Sequence, residues 1–132
     1  MPDSKSLKNI ELFEDVSDDV LAQVESRCRW VDYDTHEVVV DLNDTGTDVY
    51  FVVSGKVRAT VFLTEEIEIS LADLVPGDTF GEMAAVDLKM RSARVTTLEP
   101  TVLAEVSSED FRQILLDHPE ISLALLRRFA SL

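Results

Sequence analysis

The chain has 132 residues, a formal charge of -14 and one cysteine. This length predicts a single domain, residues 1–132, with one apolar core. Such an acidic chain lacks the basic face that binding to a nucleic-acid backbone requires. With no long apolar run and no apolar signal core, we expect a cytoplasmic protein without membrane contact. The lone Cys28 excludes an intramolecular disulfide framework and is interpreted as packing.

Residues 1–30 are predicted to form an N-terminal helical segment. Ser17, followed by two aspartates, is typical of a helix start with acids in the first turn. An apolar stretch precedes it, and the helix has its own apolar face. The residues expected to be buried are Leu7, Ile10, Leu12 and Phe13 before the helix and Val20, Leu21 and Val24 within it.

Residues 31–106 show short apolar runs with the period of β-strands. The predicted strands are residues 38–40, 49–53, 57–63, 67–71 and 102–106. Polar and apolar residues alternate most clearly over 56–61 and 66–71. Each glycine lies at a junction between runs, as turn chemistry requires. Many short strands with tight turns predict an antiparallel barrel or jelly roll.

Residues 107–132 are predicted to form two C-terminal helices. Ser107, with Asp110 three positions later, resembles a capping box and begins the first helix. Pro119 suits the first position of the second helix. The apolar faces are Phe111, Ile114 and Leu115 on the first helix and Ile121, Leu125 and Phe129 on the second.

The most informative segment is residues 81–95, where a glycine is followed by an acid and, nine positions after that acid, an arginine. Gly81 lets the backbone approach a ligand, and the helical turn after it aims N–H groups at a negative charge. Arg91 supplies a permanently charged fork that fits phosphate oxygens. Glu82 can accept hydrogen bonds from sugar hydroxyls. The spacing favours a small anionic ligand over a catalytic centre.

This segment resembles the phosphate-binding cassette of cyclic-nucleotide-binding domains. Residues 50–57 are similar to the family's strand-turn-strand signature, and residues 76–80 lead into the cassette as they do in that family. The order of helix, strands, cassette and two helices extends the resemblance over nearly the whole chain. It implies a mainly β fold with flanking helices: a double-stranded β-helix (jelly-roll) barrel with an N-terminal helix, a cassette helix and two C-terminal helices.

The resemblance also implies a ligand site. Arg91 would pair with the cyclic phosphate, assisted by the backbone of the next two residues, and Glu82 would accept from the ribose 2′-hydroxyl. Phe80 would form an apolar wall. Ser92 does not decide the base, although the family pattern favours cAMP over cGMP. The implied site residues are Phe80, Gly81, Glu82, Met83, Ala84, Arg91, Ser92 and Ala93.

Several of these residues have an alternative interpretation. Arg91 could form a surface ion pair with Asp87, four residues earlier on a helix. Glu82 could be a helix-start acid that the helix dipole favours. Phe80 and Met83 could be plain core residues. If residues 91–94 alternate as on a strand, Arg94 lies on the opposite face from Arg91, and it is interpreted as a solvated charge or a second anion contact. In the last helix, Phe129 could cap the purine or pack in the core.

The implied function is a non-enzymatic sensor that binds cAMP, or cGMP, and relays binding through residues 107–132 to an effector domain or partner protein of unknown identity. A homodimer is left open. One alternative is a domain of the same fold that binds no nucleotide and serves protein interaction or dimerisation. A second, a cupin-like metalloenzyme, is disfavoured because His36 and His118 are the only histidines and no metal-ligand cluster is apparent.

Overall fold

The computed structural model describes residues 6–42, 44–87 and 93–130. Eight strands and four α-helices occur within them. The strands are β1 Arg29–Tyr33, β2 Val38–Val40, β3 Val49–Ser54, β4 Val57–Phe62, β5 Glu68–Leu74, β6 Thr79–Phe80, β7 Arg94–Thr97 and β8 Thr101–Val106. The helices are α1 Asp18–Glu25, α2 Glu82–Asp87, α3 Ser108–Asp117 and α4 Pro119–Ala130, with a 3-10 helix at Glu11–Phe13.

The strands form two four-stranded sheets. The first has the order β1-β8-β3-β6 and the second the order β2-β7-β4-β5. Neighbouring strands are antiparallel, and most are distant in sequence: β8 pairs with β1 and β3, while β7 pairs with β2 and β4. The architecture confirms the mainly β jelly-roll barrel with flanking helices.

Short apolar runs located five of the strands, whereas β1, β6 and β7 were not predicted as strands. The β6 strand has only two residues, too few for a periodic pattern. Within β4, the register with β5 shifts between Ala59 and Thr60. The extra residue at this shift is Leu71 of β5. In β4 itself the expected alternation is not kept, because Thr60 is buried and Val61 is half-buried.

Alternation over 66–71 predicted a strand, and β5 covers most of that stretch. The apolar side chains of residues 66–71 are nevertheless exposed: Ile67 by 51%, Ile69 by 41% and Leu71 by 59%. Within the described residues, β5 is the edge strand of the second sheet and pairs with β4. The pattern therefore identified the strand without indicating what covers its apolar face.

Two apolar clusters occupy the two sides of the first sheet. The outer cluster joins the sheet to the helices and the N-terminal segment, through residues that include Phe13, Phe51, Phe111 and Ile121. The inner cluster lies between the sheets and consists of Val40, Tyr50, Val52, Val57, Phe80, Val95 and Leu103. Successive residues of β3 alternate between the clusters, as the pleat of a strand requires. The inner cluster is the interior of the barrel.

The predicted helix starts are confirmed. The Ser17 hydroxyl accepts a hydrogen bond from the Val20 amide, and the Ser107 hydroxyl accepts one from the Asp110 amide. The α4 helix begins at Pro119. Leu7, Ile10, Leu12 and Phe13 are all buried, as predicted. Phe129 is partly buried against the outer cluster, which supports the core-packing interpretation of this residue.

Gly55 connects β3 to β4 and has a φ of 91°, in the left-handed region that favours glycine. A Cβ atom built there would lie 2.6 Å from both the Pro100 carbonyl oxygen and the Thr101 Cα. The backbone of the β7–β8 turn thus closes directly onto this position, between a strand of the second sheet and a strand of the first.

We predict that Gly55→Ala lowers the free energy of unfolding by about 2–5 kcal/mol, because it combines left-handed strain with a steric clash. Gly46→Ala is the matched control. The closest atom to its added Cβ would be the Asp44 carboxylate oxygen at 3.3 Å. Urea unfolding of both variants tests this, and equal losses in the two would contradict the expectation.

Candidate functional site

The candidate site begins where β6 ends. Phe80 pairs with Tyr50 of β3, and the two rings are stacked with centroids 4.8 Å apart and planes at 12°. Only 7% of Phe80 is exposed, so its ring belongs to the barrel interior. The next residue, Gly81, has a φ of 87°. This left-handed turn redirects the chain from the sheet into α2.

The α2 helix has a buried side and an exposed side. Glu82, its first residue, is 8% exposed, and Ala84 and Ala85 are 8% and 0% exposed. Met83 points outward and is 58% exposed, so the core-packing interpretation is wrong for this residue. Phe80 does lie in the core, which leaves its role as a ligand wall open to test. The start of α2 thus places a buried acid beside two buried alanines.

Of the remaining predicted residues, Ala93 lies directly before β7 and is half-buried. Arg91 and Ser92 lie outside the described residues, as does the alternative ion pair between Arg91 and Asp87. The structure therefore brings together Phe80 to Ala84, while the phosphate contact itself stays a prediction.

Arg94 has a defined partner. Its Nε donates to Asp41 Oδ1 over 2.8 Å, and its guanidinium carbon lies 4.8 Å from the centroid of the Phe62 ring. The hydrogen bond from Arg94, together with one from the Leu42 amide, lowers the pKa of Asp41. Arg94 is thus held by a carboxylate and an aromatic face. These contacts favour neither the solvated charge nor the second anion contact.

Glu105 is a buried acid of the barrel interior that sequence reasoning missed. It is 6% exposed and accepts hydrogen bonds from Arg29 Nη2 over 2.9 Å and from the Tyr33 hydroxyl over 2.5 Å. Burial, followed by the bond to Glu105, raises the pKa of Tyr33. In the strand register Glu105 is opposite Tyr50, which is in turn opposite Phe80. A polar group thus adjoins the stacked rings beside the cassette. The sequence could have indicated this position, because Glu105 is two residues after Leu103 on β8 and a strand places alternate residues on the same face.

Three further observations concern the cysteine, metal-binding groups and membrane-spanning helices. Burial, followed by the charges of Glu25 and Asp110, raises the pKa of Cys28 to about 12, so its thiol stays protonated at neutral pH. Among residues 6–42, 44–87 and 93–130, no group of three His, Cys, Asp or Glu side chains could hold a metal ion. None of the helices in these ranges combines the length and the apolar character needed to cross a membrane.

Comparison with known proteins supplies the family. Residues 30–118 match the family model of the cyclic nucleotide-binding domain. A CRP-like cAMP-activated global transcriptional regulator of Mycobacterium tuberculosis is 28% identical over 119 residues, which make up 90% of this chain and 53% of the regulator. The chain thus spans about half the length of that relative.

Two solved structures have the same architecture. The Thermus thermophilus catabolite activator protein superposes with a TM-score of 0.85 at 29% identity, covering 92% of this chain and 57% of that one. The regulatory domain of Toxoplasma gondii PKA, crystallised with cAMP, gives 0.73 at 25% identity, covering 84% and 42%. The family model matches more than half of the residues of this chain, and both solved structures share its fold. This chain therefore belongs to the cyclic nucleotide-binding domain family.

Proposed function

We propose that this chain is a regulatory sensor domain that binds a cyclic nucleotide, cAMP in preference to cGMP, beside α2. The observation that carries the proposal is the buried Glu82 directly after the left-handed Gly81. An ionised carboxylate at such burial is costly unless hydrogen-bond donors surround it. Its two oxygens offer about four acceptor positions, so it can take a ribose hydroxyl in addition to donors of the protein.

The phosphate contact is assigned to Arg91, with backbone support from Ser92 and Ala93. Bulky side chains would hold a phosphate away from backbone N–H groups, and the neighbouring described positions, Ala84 and Ala93, are small. The ion pair of Arg94 with Asp41 supports Arg91 as the phosphate ligand, because it engages the neighbouring guanidinium elsewhere. Phe80 supplies an apolar wall, and Gly81 and Met83 contribute main chain.

The choice of cAMP is supported by relatives. The M. tuberculosis regulator is named as cAMP-activated, and the T. gondii domain was crystallised with cAMP. Binding experiments with both cAMP and cGMP test this choice.

The output is proposed to pass through α3 and α4, which follow the barrel and cover the outer side of the first sheet. Binding that favours one position of these helices would alter their contact with an effector domain, a partner protein or a second copy of the chain. In this proposal the chain is cytoplasmic, catalyses no reaction, needs no metal and makes no contact with nucleic acid or membrane.

Arg91→Ala tests the phosphate contact. Isothermal titration calorimetry of the wild type should give a micromolar or lower Kd for cAMP. The variant should lose about 2–5 kcal/mol of binding free energy, at least ~30-fold in Kd, because a charge-assisted contact to the phosphate is removed.

Arg94→Ala is the matched control, since it removes the same charge three positions later from a side chain held by Asp41. Its Kd should stay within about threefold of the wild-type value, because a partly exposed pair contributes little. If the wild type gives no heat with either cAMP or cGMP, the sensor proposal fails and the non-binding interaction domain replaces it.

Glu82→Gln, measured with cAMP and with 2′-deoxy-cAMP, tests the ribose contact. The wild type should bind cAMP about tenfold more tightly than the deoxy ligand, because a hydrogen bond to an ionised carboxylate is lost. In the variant this preference should fall to about threefold or less, since a neutral amide accepts more weakly. An unchanged preference would show that Glu82 does not contact the 2′-hydroxyl.

A further inference from the structure

Two arginines of the C-terminal helices donate hydrogen bonds to the main chain around the cassette turn. Arg128 Nη2 of α4 donates to the Thr79 carbonyl oxygen over 2.9 Å. Arg112 Nη1 of α3 donates to the Ala85 carbonyl oxygen, also over 2.9 Å. The two carbonyls lie on either side of Gly81, one on β6 and one on α2. The turn is therefore connected to α4 before it and to α3 after it.

Each carbonyl lies where a side-chain donor from another element reaches it. Ala85 lies in the second half of α2, Glu82–Asp87, towards the end of the helix where its dipole favours a positive charge. Thr79 lies on the edge strand of the first sheet, where groups on the open side face away from any neighbouring strand. Both arginines are half-buried, so water competes less with these bonds than at the surface.

Apolar packing reinforces the connection at α3. Ala85 is fully buried and belongs to the outer cluster together with Phe111 of α3 and Leu125 of α4. By contrast, the ion pair between Arg27 and Asp110 joins α3 to the end of α1, and the pair between Arg127 and Asp15 joins α4 to the N-terminal segment. Each of the two helices thus has one arginine contact that involves the cassette and one that does not.

We propose that Arg112 and Arg128 are positioning residues that couple the C-terminal helices to the cassette, which rests on the proposed function of this site. Through these two bonds, a shift of α3 or α4 displaces main-chain atoms on both sides of Gly81. The reverse also holds, because coupling between two sites is reciprocal in free energy. Ligand binding at Glu82 and the position of the helices then become linked equilibria.

Hydrogen exchange of the full chain, followed by mass spectrometry with and without saturating cAMP, tests the coupling. The test variants are Arg112→Met, Arg128→Met and the double variant. The controls are Arg27→Met and Arg127→Met, which remove arginine contacts of α3 and α4 that do not involve the cassette. Without nucleotide, residues 79–87 should exchange about fivefold faster in each single test variant, the factor expected for one lost hydrogen bond, and at the wild-type rate in the controls.

With cAMP, residues 107–130 should become more protected in the wild type. In the double variant this cAMP-dependent change should fall to less than about half, while calorimetry still detects binding. A merely structural role would alter exchange equally in both conditions and leave the cAMP-dependent change intact. Arg112→Lys and Arg128→Lys, which keep a charged donor, should restore part of the response and serve if the methionine variants do not fold.

Exchange at 79–87 that matches the controls, or a full cAMP-dependent change in the double variant, would overturn the coupling. If the wild type binds neither cAMP nor cGMP, the proposed function fails. The nucleotide-free comparison at 79–87 then still decides whether the two arginines restrain the cassette turn.

Discussion

The two-residue strand β6 is the constraint on which the site depends. It is fixed to β3 by pairing at Tyr50 and Phe51, and its two residues make different contacts. Phe80 stacks on Tyr50 inside the barrel, whereas the Thr79 carbonyl accepts from Arg128 of α4. The left-handed Gly81 follows immediately and sets the direction of α2. A shift of this strand would therefore move the stacked Phe80 ring, the buried Glu82 and the contact with α4 together.

The first sheet separates the interior of the barrel from the layer of helices. Its inner face carries Tyr50, Leu103 and the buried Glu105, and its outer face carries Phe51 and Ala104 against the helices. Because these residues alternate along the same strands, neither layer can repack without moving backbone that the other shares. Side-chain bonds that bypass the sheet, such as those to the carbonyls beside Gly81, offer a more direct connection.

Features set by neighbours in sequence were predictable, and features set by distant neighbours were not. Ser17, Ser107 and Pro119 identified helix starts because capping acts over three or four residues. The glycine-acid pair located the cassette because a left-handed turn and a helix start are local. By contrast, Arg94 finds Asp41 across 53 residues, and Tyr33 finds Glu105 across 72. Strand order determines such contacts, and no spacing in the chain encodes them.

A net charge of -14 and a proposed anionic ligand are compatible because electrostatic effects depend on distance. Residues 78–96 contain three acids and three bases, so the cassette region is locally neutral. Exposed acids elsewhere are screened over about 8 Å at physiological salt. A mononucleotide presents one phosphate, which enters a pocket and responds chiefly to the charges beside it. A nucleic acid presents many phosphates along an extended surface and meets the whole excess. The same charge distribution thus disfavours a polyanion while admitting a small one.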